Sequence, residues 1–440
     1  MKKTLQQSDL KFGKQMYNWA CDLFPINRSI GGPGLRETLK YIQRLLPDLK
    51  VHSVSSGSQV FDWTVPDEWT IRDAFITDES GERIVDFKAH NLHIVGYSEP
   101  VDEWMELEEL DKHLYSLPDQ PTAIPYITSY YSRRWGFCLT HEQRQLLKPG
   151  QYHAVIDSDL KPGVLDYGEL ILPGDLEKEV FLSTYICHPS MANNELSGPV
   201  VTAALAQWLK TIPALKHTYR IVFVPEKIGA LVYLDKNLDA MKAKTIAGYQ
   251  ITCVGDEQNF SFKPSRLGNT ISDRVALHVL KHMASTFRTY NFWDGGSDER
   301  QYCFPGVDLP IASVMRSIYG EYPEYHTSLD NLDFISEAGL QGSLDVYKKV
   351  LTVIENNFIP ETTMLCEPKM DKRGLYPTLC QNQGGYQWGV QETLNIMAYS
   401  DGKHDLLEIA EMMGLEFEKI LPLASTLLNE GLIKETDRMR

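Results

Sequence analysis

EVFLSTYICHPSMANNELSGPVVTAALAQWLK, residues 179–210, reads as three pieces in a row. A nearly continuous apolar run of β-type residues comes first, as in a strand buried on both faces. A polar loop, CHPSMANNELSG, follows, and then the apolar helix GPVVTAALAQWLK. A strand feeding a helix in this way is the building unit of a parallel sheet flanked by helices. The loop places His188 and Glu195 where the chain must turn. Such residues either cap the helix or supply half of a metal site.

Working outward, the alternation continues. Strand-like YRIVFVP (219–225), IAGYQITCVG (246–255) and LPIASVMRS (309–317) are interleaved with helical LVYLDKNLDAMKAK (231–244), DRVALHVLKHMAST (273–286) and SEAGLQGSLDVYKKVLTVIENN (336–357). This predicts an α/β domain with a mainly parallel mixed sheet covered by helices. YHAVIDSDL and GELILPG just before it read as a hairpin. Residues 8–50 read as helical, and 51–147 as a small β-rich inserted domain of short runs and turns, broken by a helix-like WMELEELDKHLYSL. A proline-containing break at 358–385 precedes three short helices, QETLNIMAYSD, DLLEIAEMMGL and FEKILPLASTLLNEG, the signature of a winged-helix module. The expected division is 1–50 with 148–358, the insert 51–147, and 365–440.

Composition narrows the function. A net charge of −16 over 440 residues argues against general affinity for phosphate backbones. The last 60 residues carry ten acidic against five basic side chains, so the winged helix reads as protein-contacting, in a homo-oligomer for instance, and not as a DNA reader. No apolar run reaches membrane length, and seven scattered cysteines without a CxxC pair read as reduced thiols in a cytoplasm.

In open α/β sheets ligands bind beyond the carboxyl ends of strands. His188, Glu226, Asp256 and His326 all follow predicted strands, and Asp298 and Glu299 lie in the turn-rich WDGGSDERQY. Imidazole plus carboxylate is the ligand set of a catalytic zinc. Each residue also has a plain structural reading: a helix-entry His188, a first-turn Glu195, an Asx turn at Asp298, a His326 stacked among tyrosines.

The motifs CHPSMANNELSG, VPEKIGA, TCVGD, GGSDERQY and EYHTSLDNLDFI resemble those of the zinc aminopeptidase superfamily that includes glutaminyl cyclases. The whole chain is more similar to a bacterial group of aminopeptidase-like proteins with an inserted domain and a C-terminal winged helix. The resemblance implies His188 and His326 as metal ligands, Glu226 as general base, Asp298 as an acid near metal and substrate, and Ser197-Gly198 as the start of the helix. Three positions depart from the pattern: Asn194 stands for the bridging carboxylate, Lys227 for a metal-binding glutamate, and Thr252 for an aspartate. Asn is a poor anionic bridge and lysine repels a cation. One zinc, held by His188, His326 and Glu195, is therefore expected, with Glu299, Arg300 and Glu324 toward substrate. The activity implied is aminopeptidase-like hydrolysis of a small peptide or aminoacyl conjugate. Single-zinc cyclisation or acyl transfer, and a non-catalytic ligand sensor, are the alternatives.

Overall fold

A computed structural model describes residues 12–375 and 389–436. The opening residues 8–11 of the helical N-terminal reading and residues 376–385 of the proline-containing break lie outside them. The chain divides into two compact units, 1–273 with 286–345, and 274–285 with 346–440.

The first unit is built on an eight-stranded mixed sheet. Its strands are β1 (Lys50–Ser55), β2 (Val164–Leu172), β3 (Leu176–Tyr185), β4 (His217–Val224), β5 (Thr245–Gln250), β6 (Phe260–Lys263), β7 (Phe287–Thr289) and β8 (Ile311–Met315). Their spatial order is β1-β2-β4-β3-β5-β8-β6-β7. The centre is parallel, with β3 between β4 and β5 and β5 beside β8. Antiparallel neighbours flank it, β2 against β4 and β6 against β8. Helices α1 (Gly13–Leu23), α2 (Pro33–Leu45), α3 (Ser197–Leu209) and α4 (Ile228–Lys244) belong to this unit, and α2, α3 and α4 pack on its strands. Twelve of the thirteen residues of α3 are buried, as expected for a helix apolar on all sides. Gly198 in its first turn is required there: a Cβ would stand 2.4 Å from Ile251 O at the end of β5.

Most of the β-rich segment forms a separate four-stranded sheet from Arg83–Asp86, Glu68–Thr77, Gln151–Lys161 and Val101–Glu106. Its strand Gln151–Lys161 lies beyond the expected end of the insert at 147, while Lys50–Ser55, at the expected start, belongs to the main sheet. Here the hairpin reading is corrected. Gln151–Lys161 pairs with Glu68–Thr77 and Val101–Glu106, while the next strand, β2, pairs with β1 and β4. Alternating polarity identifies a half-buried strand but carries no information on its partner. WMELEELDKHLYSL likewise opens as strand, ending at Glu106, before one short helix, Leu107–Leu110.

The second unit carries the three expected helices, Val390–Ala398, Leu406–Met413 and Phe417–Asn429, with an antiparallel pair Ile359–Thr362 and Ile433–Thr436. Asp405 and Glu408 form a capping box at the middle helix, which stops at Gly414 in the left-handed conformation. Among the described residues no helix is long and apolar enough to cross a membrane, and the six described cysteines are free.

Candidate active site

The parallel strands of the first unit release several of the candidate residues at one rim. β3 ends at Tyr185, and the next turn brings Cys187 and His188. Arg28, itself 1% exposed, pins this loop: its Nε donates to His188 O (2.9 Å) and its Nη1 to Leu23 O at the end of α1 (2.6 Å). His188 is buried between two carboxylates. Its Nδ1 lies 2.7 Å from Glu195 Oε2 and its Nε2 3.4 Å from Glu226 Oε2. Burial favours the neutral ring, but the adjoining Cys187 and Glu195 outweigh it and hold the imidazole pKa well above its usual value.

Glu195 sits in a π-helical turn, Ala192–Leu196, whose residues are all buried. Such turns recur at functional sites. The carboxylate of Asp330 holds this one open: Oδ1 accepts from the amides of Ala192 (3.1 Å) and Asn193 (2.6 Å), and Oδ2 from Asn194 (2.9 Å) and Tyr322 OH (3.0 Å). A carboxylate against the amides of a helix start is the favourable polarity for the dipole.

Glu226 follows β4. Lys227 adopts φ 62° and ψ −71°, and Ile228 N donates to Glu226 O across it (2.8 Å), making a strained γ-turn. The turn aims the Lys227 amide at Asp298 Oδ1 (2.6 Å), and Ser297 Oγ donates to Glu226 Oε1 (2.5 Å). The Glu226 side chain keeps 29% exposure, yet the surrounding protein raises its pKa, against the pull of His188 and Ser297. Burial, and then Glu226, push Asp298 up further still.

His326 comes from the long loop after β8 and takes the left-handed φ of 54°. Its ring lies 5.4 Å from that of His188 and stacks on Tyr325 at 3.9 Å. Burial and the neighbouring His188 lower its pKa to about 3, leaving it neutral with a free lone pair. Four of the eight positive-φ non-glycine residues among those described lie in the loops after β3, β4, β5 and β8: Ser190, Lys227, Cys253 and His326. Strain of this kind collects at functional sites.

The expected site residues thus separate. His188, Glu195, Glu226, Asp298 and His326 come to one rim. Glu299 does not reach it: wholly buried, it accepts from Lys263 Nζ (2.9 Å), Tyr319 OH (2.8 Å) and Ser297 N (3.0 Å). Arg300 is exposed, with Nη1 donating to Gly295 O, and Glu324 is half-buried with its carbonyl accepting from Thr327. Asp256 accepts from Asn193 Nδ2 and the Ser317 amide, a structural role. Sequence reasoning missed Arg28, Tyr126, Asp330 and Ser297. Cys187 was counted only as a thiol; its Sγ accepts from Glu226 N at 3.3 Å.

The donor set suits a cation. Among the described residues Cys187, His188 and Glu195 bring one ligand atom each within 4.8 Å of one another, and His326, expected as a ligand, is not in that group. Glu195 Oε1, Asn194 Oδ1 and Asp298 Oδ2 are buried acceptor oxygens without a hydrogen-bond partner. Asn194 Nδ2 is turned to Tyr185 OH, and Lys227 Nζ to the ring of Trp63 at 4.7 Å.

Residues 17–357 match the family described as a domain of unknown function, DUF4910. The chain belongs to the DUF4910 family. Residues 358–435 of this DUF4910 chain match a winged helix-turn-helix family. A protein from Clostridium acetobutylicum is 41% identical over 97% of this chain and 98% of its own length, and carries the provisional description of a polysaccharide biosynthesis protein with an aminopeptidase-like domain. A crystal structure of a protein from that organism, provisionally described as a peptidase, superposes with a TM-score of 0.90 at 41% identity, covering 96% of each chain. The zinc aminopeptidase BSAP from Bacillus subtilis shares the fold, with a TM-score of 0.57 at 12% identity over 78% of the DUF4910 chain and 94% of its own.

Proposed function

We propose that the chain is a zinc-dependent amide hydrolase of aminopeptidase type, acting on a small peptide or aminoacyl conjugate. One observation carries the reading: two imidazoles from distant loops, His188 and His326, stand 5.4 Å apart at the strand ends beside Glu226. His188 and His326 would hold the ion. Glu195, facing Nδ1 of His188, would fix the tautomer that leaves Nε2 for it, a role that differs from direct ligation. When bound, zinc supplies Lewis acidity toward the scissile carbonyl.

Glu226 would take a proton from the attacking water and return it to the leaving amine. Its raised pKa makes it the stronger base, and Ser297 orients it. Asp298 would steady the Lys227 turn that presents Glu226. A single ion is supported by Asn194 and Lys227, neither of which offers an anionic oxygen. The description of the 41% identical relative recommends amide-bearing sugars among the substrates to try. The free cysteines suit a reducing compartment such as the cytoplasm. The ten acidic against five basic side chains of the last 60 residues leave the winged helix acidic and support a protein contact in place of DNA binding.

The test is metal analysis of protein purified without chelator, alongside aminoacyl-amide turnover with products read by mass spectrometry. One equivalent of zinc, lost in H188A and H326A, with water added to the product, is the expected result. Two tightly held equivalents, or an H188A variant of unchanged activity, would overturn it. Ammonia loss without water addition would favour cyclisation.

A further inference from the structure

The β-rich segment has a part in the site that neither the fold nor the proposed chemistry assigns. Residues 124–128 leave it as an extended strap. On one side the strap is tied within the segment: the Gly96 amide donates to Ile127 O (2.9 Å) and the Ser129 amide to Gly96 O (2.8 Å). On the other it pairs with the loop that carries His326. Ile124 N donates to Ser328 Oγ (2.9 Å), Ser328 N returns a bond to Ile124 O (2.9 Å), and Tyr126 N donates to His326 O (2.8 Å). Pro125 and Thr327 complete the bridge.

The side chain of Tyr126 then enters the site. Its ring centroid lies 5.1 Å from that of His188 and 5.1 Å from that of His326, and the two imidazoles are 5.4 Å apart. Three rings therefore meet in one triangle, and the Tyr126 hydroxyl is held by Tyr130 OH at 2.7 Å. His326 needs such support. It sits in a left-handed conformation that a free loop would abandon, and its ring is gripped between Tyr126 and Tyr325.

We propose that Tyr126 is a positioning residue: the strap sets the separation and tilt of the two imidazoles, so the β-rich segment tunes how tightly the strand ends hold a cation. The inference rests on the reading of His188 and His326 as metal ligands. A simple packing role for Tyr126 makes a different forecast, because leucine would then serve nearly as well as phenylalanine.

The experiment uses the full chain and zinc alone, titrated against a chromophoric chelator, for wild type, Y126F and Y126L. Y126F keeps the ring and the backbone bonds and should bind zinc within about twofold of wild type, whereas Y126L should bind about 10–100-fold more weakly. Imidazole 15N shifts of the metal-free protein give a second readout: the His188 and His326 signals should move in Y126L and stay in Y126F. Equal zinc affinity in Y126L, or equal losses in Y126L and Y126F, would overturn the proposal. Should wild type take up no zinc, the metal reading fails instead. The 15N shifts then decide the positioning role alone, and unmoved signals in Y126L would sink it. If Y126L does not fold, S328A replaces it, cutting one bond of the strap, with an expected loss of about threefold to tenfold; an unchanged affinity there overturns the proposal.

Discussion

The strand-end rim and the C-terminal unit treat polar groups in opposite ways. At the rim, Glu195, Asn194 and Asp298 each bury an oxygen without a partner, and four residues take positive φ. In residues 274–285 and 346–436, no described buried side-chain nitrogen or oxygen is left without one. There Asp405 caps its helix and also receives Arg274, and His278 is held between Glu411 and the amide of Phe417. A sequence that obeys local rules in one region and breaks them in another marks the second as the place to test for function.

The contrast can be broken at graded points. The largest effect is expected from E226Q. It should lower turnover of an aminoacyl amide about 10²–10⁴-fold while leaving the unfolding midpoint nearly unchanged, as steady-state rates and thermal melts will show. An E226Q protein that kept full activity would remove the rim from the chemistry. Next comes D330N, which takes the charge from three buried amides. A loss of about 1–3 kcal/mol in urea-unfolding stability is expected, with circular dichroism as the measure.

His90 gives a test away from the rim. Burial lowers its pKa to about 4, so in the folded state it stays neutral where the unfolded chain, near pH 6.5, already binds a proton. Stability is then fully present above about pH 6.5 and is lost as pH falls toward 4. H90N, which keeps an acceptor for the Leu92 amide, should flatten that slope; an unchanged slope assigns it to other groups. The smallest change is D405A in the well-satisfied unit, costing about 1–2 kcal/mol by loss of a helix cap together with the Arg274 ion pair and leaving turnover untouched.

How much of this was legible beforehand depends on distance along the chain. His188, Glu226 and His326 were found because a residue type and a strand end coincide locally, and the parallel-sheet rule then gathers them. The destination of Glu299 was not legible. It adjoins Asp298, yet its partner Lys263 lies 36 residues earlier, at the end of β6, and nothing in GGSDERQY says which of two neighbouring acids turns toward that lysine. Asp330 sits inside a motif that drew attention only for His326. Its work, receiving three amides from residues 192–194, exists only once the chain has closed on itself. Tyr126 escaped for the same reason. The false hairpin shows the complementary limit: period-two polarity locates a strand and one face, while the choice of neighbour belongs to the sheet.

The enclosed pair of Lys263 and Glu299 has a consequence for how this family can drift. Both side chains are shut away from water, 0% and 1% exposed, so dissolved salt cannot soften the attraction between them. Altering either alone strands a charge in the interior, at about 3–5 kcal/mol. Descendants should therefore keep both or exchange both together, and a homologue with an uncharged residue at one position should show an uncharged residue at the other.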